Sequence, residues 1–442
     1  MKIRYLAILL LILPSMMEAQ LSTSSPYSRF GIGQLSSTNF NYLGHMGNLG
    51  ASFRDPYHIN ITNPASLASL RATAVDLSVF TGYSTLDDGT NSNTSFNGNL
   101  EYLSLAFPTN NPYNQLFEQT TSDFSHGMAF TLMPHSTVGY DIVSTSEVPD
   151  VGTVTQRNIG SGGSTKFLVS NGVRYKQLSV GLNVGYIFGK IRYAQDITID
   201  EFFNSYRVDY ENNYSLAGFT WNMGLQYSFI LNQADLDKNK GVEPKSLTLG
   251  FTYGANTSFD TESNEINVNN QFIGSTLYVD TVSVTEDIAG SGTLPGEMNI
   301  GFNYSNGSKY TIGANYRTTF WDSYRNDSSP NDELSSTYML TFGGFYRPNY
   351  KSIDKYYQRM YYRFGFHYGN NPILIEGERV NDYGFTLGFG LPFVYQKKIS
   401  HANIGFSYGK QGSGTAIEET LFRLSFGFTF NDDEWFIKRK YN

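Results

Sequence analysis

Gly160-Ser161-Gly162-Gly163-Ser164-Thr165-Lys166 is the first stretch whose spacing could do chemistry. A phosphate cradle needs a glycine directly before the lysine and a helix directly after it, so that backbone N–H groups converge on the anion. Neither condition holds, and the stretch reads as a flexible loop at a strand start. Asp235-Leu236-Asp237-Lys238-Asn239 opens like a calcium loop, yet Gly241 comes one place late and Ser246 stands where the closing glutamate belongs. A solvated periplasmic turn accounts for it. The histidines His45, His58, His126, His135, His367 and His401 show no paired metal-ligand spacing. A surface hydrolase would need serine, histidine and an orienting group together. No such trio is legible, so no catalytic residue, metal or cofactor is assigned, and the chain reads as a non-enzyme.

The composition narrows the class. Cysteine is absent, which removes disulfides, thiolate chemistry and Cys-linked lipid anchors. Lys2 and Arg4 precede the apolar run Leu6 to Leu13, and Glu18-Ala19-Gln20 offers a cleavage site, so residues 1–19 read as a signal peptide. That run is too short for a membrane helix of about 20 residues, and no second long apolar segment follows. Only 16% of the 442 residues are charged, whereas Tyr and Phe number 33 each and Gly 43. A globular chain would carry roughly 25% charge. Few charges, many aromatics and abundant glycine fit a strand-built membrane protein. The net charge of −8, without a basic stripe, excludes a nucleic-acid partner.

Period-2 alternation then supplies the elements. Phe422, Leu424, Phe426, Phe428 and Phe430 alternate with Arg423, Ser425, Gly427 and Thr429. Leu178, Val180, Leu182, Val184 and Tyr186 alternate with Ser179, Gly181, Asn183 and Gly185. The apolar faces are wide and aromatic at their ends, as for two interfacial belts, and the opposite faces are small and polar, as for a lumen. Such segments lie near 73–83, 99–108, 127–141, 164–176, 178–196, 214–231, 246–262, 294–306, 308–324, 334–348, 358–370, 381–394, 399–411 and 417–431. Tight turns at Tyr175-Lys176-Gln177 and Ser305 to Ser308 alternate with polar excursions over Ile197 to Asn213 and Glu262 to Gly292, read as long external loops. The expected fold is all-β: a transmembrane antiparallel up-and-down barrel of about 14 strands with an N-terminal plug, both barrel ends being periplasmic. The lipid of the outer membrane is its first partner.

Ahead of the first strand stands Ile59-Asn60-Ile61-Thr62-Asn63-Pro64-Ala65-Ser66-Leu67. Asn63 can cap a helix, and Pro64 fits the first helical position, where its missing N–H costs nothing. Around it, residues 20–72 are rich in Gly, Ser and Asn and alternate little, which suits a plug for a lumen too wide to be filled by wall side chains. Asn63, Pro64, Ala65 and Leu67, with Gly50-Ala51-Ser52 and Asp55-Pro56, resemble the N-terminal hatch of FadL-like outer-membrane proteins. Leu132 to Tyr140 and Leu178 to Gly189 resemble that family further on. Ser25 to Gly31 and the tail Trp435 to Lys440 resemble barrels of Bacteroidota-type bacteria. The resemblance implies a hatch over 20–72 inside a barrel over 73–431, a periplasmic tail over 432–442, and residence in the outer membrane of a Gram-negative bacterium.

Arg317, Arg347, Arg363 and Arg423 fall near or on polar faces, with His367 in phase with Arg363. Buried arginines need carboxylates or carbonyls, and Asp76 and Glu101 are the expected partners. These residues read as ion pairs bracing plug to wall, and in a functional version as a polar gate around the hatch. Two functions follow from the resemblance. One is a narrow plugged channel for hydrophobic small molecules. The other is a non-transporting accessory barrel in an outer-membrane protein assembly or type IX secretion machine, whose partners are other outer-membrane or periplasmic proteins.

Overall fold

A computed structural model describes residues 25–36, 40–109, 122–199, 206–239, 241–273, 276–329, 333–375 and 377–434. The expected leader and the tail from Trp435 lie outside them. A two-residue strand, β1 (Gln34–Leu35), belongs to the N-terminal segment. The wall then begins with β2 (Thr73–Asp87), β3 (Ser92–Pro108), β4 (Phe124–Val148), β5 (Gly152–Tyr175), β6 (Leu178–Ile199) and β7 (Tyr206–Ile230). Opposite β7, β8 (Lys245–Gly254) and β9 (Thr257–Ile273) run end to end as one stave. The next stave is likewise in two parts, β10 (Thr276–Leu294) and β11 (Glu297–Asn306). After β12 (Tyr310–Thr319) and the short β13 (Arg325–Asn326) come β14 (Thr337–Tyr346), β15 (Tyr361–Ile375), β16 (Glu378–Tyr395), β17 (Lys398–Gln411) and β18 (Glu418–Asp432). Pairing of β18 with β2, Glu418 against Asp87 through Asp432 against Thr73, closes an antiparallel barrel of 14 staves.

Side-chain alternation decides which face meets lipid. On β6, Leu178, Val180, Leu182, Val184 and Tyr186 are exposed outward, while Ser179 and Asn183 are buried inward. β-Branched and aromatic side chains favour the pleated strand, and the inward glycines, serines and asparagines leave space for a filling. Neighbouring staves pair round the wall as a bilayer demands, but the β3–β4 ladder covers only Leu103–Pro108 against Gly127–Leu132, and β1 pairs with β4 beyond it at Ser136 and Thr137.

The staves differ in height. β12 and β14 have 10 residues each, whereas β4 and β7 have 25. The described parts of the two expected external loops are therefore strand. Residues 197–199 extend β6, residues 206–213 extend β7, and residues 262–273 and 276–292 belong to the paired β9 and β10. Above the lipid no face has to be apolar, so these strands carry polar residues on both sides and lose the alternation that betrays the rest. Gly160 to Lys166 is likewise strand, inside β5. Gly162 and Gly163, at φ +105° and +148°, take the local bend opposite the register shift between Pro134 and Ser136. In place of a simple turn, Gln233–Lys238 forms a short helix at the connection to β8.

Candidate functional site

Asn63 begins a 3-10 turn over Pro64–Ser69, and its Oδ1 accepts from the Ala65 N–H at 3.1 Å. The same side chain reaches across to the wall. Its Nδ2 donates to Ala51 O at 2.6 Å, Leu225 O at 3.2 Å and Phe251 O at 3.3 Å, so one buried amide joins the turn, the segment before it, β7 and β8. The turn rests on a row of glycines. Register places Gly127 opposite Gly172, Gly172 opposite Gly181, and Gly181 opposite Gly224, on four consecutive strands. A β-carbon on Gly172 or Gly181 would overlap Pro64 or Ala65 backbone, one on Gly127 would overlap Leu67 O, and one on Gly224 would overlap Asn63. Across the lumen, Gly343 and Gly365 take the Met46-Gly47 backbone, while Gly388 and Gly405 take the His45 ring.

Polar side chains of the wall fasten the segment all round. Asn183 donates to Ile61 O at 2.8 Å, Gln226 to Ala51 O at 3.0 Å, and Asn303 to Ser52 O at 2.8 Å. Gly47 N–H donates to Thr386 Oγ1 at 3.1 Å, and Asn41 N–H to Tyr102 Oη at 2.9 Å. His45 Nε2 meets Ser425 Oγ at 2.9 Å; burial, with Arg363 adding to it, pushes this imidazole down to about 3, so it is neutral. Phe40, Tyr42, Leu43, Met46, Leu49, Ile59, Ile61 and Leu67 complete a buried apolar cluster with wall residues such as Tyr102, Met133 and Phe345.

The polar residues singled out in the sequence do not converge on one site. Asp76 is buried and accepts from Tyr102 Oη at 3.0 Å and Thr429 Oγ1 at 2.7 Å, with no arginine on it. Glu101 faces Arg423 at 3.8 Å and also receives Asn41 Nδ2 at 3.4 Å. Arg363 is buried and donates to Asn403 Oδ1 at 2.7 Å, its guanidinium lying 5.0 Å from the Tyr361 ring centre and 5.8 Å from that of Tyr42. Neutral amides and hydroxyls, rather than salt bridges, therefore hold most of the plug; the Arg423–Glu101 pair joins wall to wall. Asp55 and Arg347 stood out in the sequence, but their partners did not: Asp55 Oδ1 lies 2.9 Å from His58 Nδ1, and Arg347 donates to Tyr361 Oη at 2.8 Å.

Arg317 and His367 sit elsewhere, in a cavity of about 350 Å³ between plug and wall. His367 faces Asp382 at 3.5 Å. Trp221, Ile187, Leu168 and Leu294 share that cavity with Lys166, Glu297 and Asn183, so the lining mixes apolar and charged groups. It adjoins the level where both broken staves interrupt their ladders, at Ala255-Asn256 and Pro295-Gly296. Pro295 has no N–H to give, and Gly296 N–H turns to Asn256 Oδ1 at 2.6 Å.

Three solved structures share this architecture. The CymD monoaromatic hydrocarbon channel aligns at TM-score 0.53 and 13% identity, over 91% of this chain and 98% of that one. The Ralstonia pickettii toluene transporter TbuX aligns at TM-score 0.53 and 14% identity, over 89% and 98%. A Pseudomonas aeruginosa FadL homologue aligns at TM-score 0.51 and 15% identity, over 91% and 99%. At such identities the likeness is one of fold, a FadL-type outer-membrane barrel. No curated protein sequence matches the chain. A family model does so over residues 1–442, and the chain accordingly belongs to the BamG family.

Proposed function

We propose that this chain is a closed accessory barrel of an outer-membrane protein assembly machine, working by docking partner proteins rather than by passing a substrate. The observation that carries the reading is the filled lumen. A buried plug, seated on two sets of glycines and fastened by Asn183, Gln226, Asn303 and Thr386, leaves a mixed-polarity cavity where a conduit for apolar compounds would need a continuous apolar path. Membership of an assembly-related family supports it as well. Asp76, Glu101, Arg363 and Arg423 then serve the closed state, holding wall and plug in one arrangement.

A second reading has its own observation. The cavity reaches the interrupted ladders at Ala255-Asn256 and Pro295-Gly296, and the fold is shared with hydrocarbon channels, which together support a narrow route for small hydrophobic compounds. Affinity purification of the tagged protein in mild detergent separates the two. Stoichiometric recovery of an outer-membrane assembly barrel is the expected result. A monodisperse single chain, coupled with loss of radiolabelled toluene or fatty-acid uptake on deletion, would replace the accessory reading with the channel.

A further inference from the structure

Among the described residues, one edge of β10 over Thr276–Gly290 has no strand beside it. A tilted strand crosses the bilayer in about 9–11 residues. β11 supplies ten and pairs along its whole length with β12, so β10 stands above the lipid. β12 stops at Thr319, and β13 covers β10 only at Gly292 and Thr293. From Thr276 to Gly290 one edge of β10 pairs with β9, and the other has no strand beside it among the described residues. The segment is bare on its faces too: Tyr278, Val279, Val282 and Val284 are 55%, 59%, 54% and 50% exposed in water, not in lipid.

An unpaired edge presents a row of N–H and C=O groups that another chain can complete, and natural edges are usually blunted by Lys, Pro or bulges. This one has neither Lys nor Pro from Thr276 to Leu294, and its sequence Tyr278-Val279-Asp280-Thr281-Val282-Ser283-Val284-Thr285 has high strand propensity. Register shifts between Thr281 and Ser283 and between Thr285 and Ile288 bend the edge but leave Thr276–Thr281 as a straight six-residue run. The hairpin from Thr257 to Leu294 holds Asp260, Glu262, Glu265, Asp280, Glu286 and Asp287, and no Lys, Arg or His. A second copy of this chain would set acid against acid across the new ladder, which is unfavourable.

We infer that the free edge of β10 is a docking site for an extended, basic segment of another polypeptide, which adds to the sheet as one more strand. Backbone hydrogen bonds give the attachment, and lysines or arginines of the partner strand meet Asp280 and Glu286. The site goes beyond the accessory reading and does not depend on it.

The test uses the full-length protein in lipid nanodiscs and a fluorescent ten-residue peptide alternating Lys with Val and Thr. Fluorescence anisotropy should show saturable binding. Methylating alternate backbone amides on one edge of the peptide should weaken it at least tenfold at unchanged charge. The variant Asp280→Lys with Glu286→Lys, both exposed positions, should also lose at least tenfold. Absence of saturable binding would overturn the proposal, as would equal binding of methylated and parent peptides, which reports charge alone. Disulfide formation between two copies carrying Tyr278→Cys, displacing the peptide, would assign the edge to self-association and overturn it equally. Because the methylation arm uses the unaltered protein, a misfolded variant cannot hide the answer.

Discussion

Gly172 and Gly181 face the Pro64 turn at distances where a methyl group has no place to go, because the obstacle is backbone rather than a movable side chain. Replacing Gly181 by Val should therefore push the turn off the wall without breaking the ladder between β6 and its neighbours. In planar bilayers the intact protein is expected to stay closed, and this variant to pass a steady ionic current. Gly409→Ala is the control: its nearest obstacle is Tyr383 O at 3.6 Å, ordinary contact, so its trace should stay silent. Asn63→Ala works through lost hydrogen bonds instead. Removing a cap costs roughly 1–2 kcal/mol, so amide exchange around residues 63–70 should quicken about 5- to 30-fold by mass spectrometry while barrel amides keep their rates. The cap was legible in the sequence because Asn-Pro-Ala is a local signal. The glycine row was not, since it exists only through the register of four strands, and alternation reports that a face is small without saying what fills it.

At the scale of elements, each stave that crosses the lipid shows itself by alternation, and all fourteen expected segments overlap a stave. What escaped was height. Residues 206–213, 262–273 and 276–292 form strands in water, where pairing alone dictates the structure and hydropathy carries no signal. The lipid face can be tested directly. Leu387 on β16 is 58% exposed on the outer surface, and an arginine at mid-bilayer costs roughly 2–4 kcal/mol. Leu387→Arg should fold poorly from urea into lipid vesicles, read by the heat-dependent gel shift of a folded barrel, while Thr337→Arg, which lines the cavity, should fold like the parent. Equal folding would reverse the assignment of inner and outer faces. The topology has its own check, helped by the absence of native cysteine. A cysteine at Asn93 should react with an impermeant maleimide on intact cells, and one at Asn306, at the opposite rim, should not.

Taken as a whole molecule, the wall and the plug differ in what holds them. The wall closes mainly through its own ladders, from β2 round to β18, the plug adding only the two β1 pairs on β4 at Ser136 and Thr137, beyond the six-residue β3–β4 ladder. The plug has no long element of its own, and its buried residues pack against wall residues as much as against one another. Its stability is therefore borrowed from the barrel, whereas the barrel borrows little in return. Deleting residues 25–72 should leave a chain that still inserts and still shows the gel shift of a folded barrel. The emptied lumen would then be lined by serines, asparagines, Arg363 and Asp76, a wettable surface, so planar bilayers should show conductance many times that of the intact protein. A deletion variant that inserts normally yet stays electrically silent would mean that the wall collapses inward or that the segment never occupied the lumen. The conducting variant also discriminates between functions. If the closed state serves docking, the emptied barrel should still recover its partner in mild detergent; if the plug gates a route for hydrophobic compounds, uptake should lose its selectivity while no partner is recovered from either form.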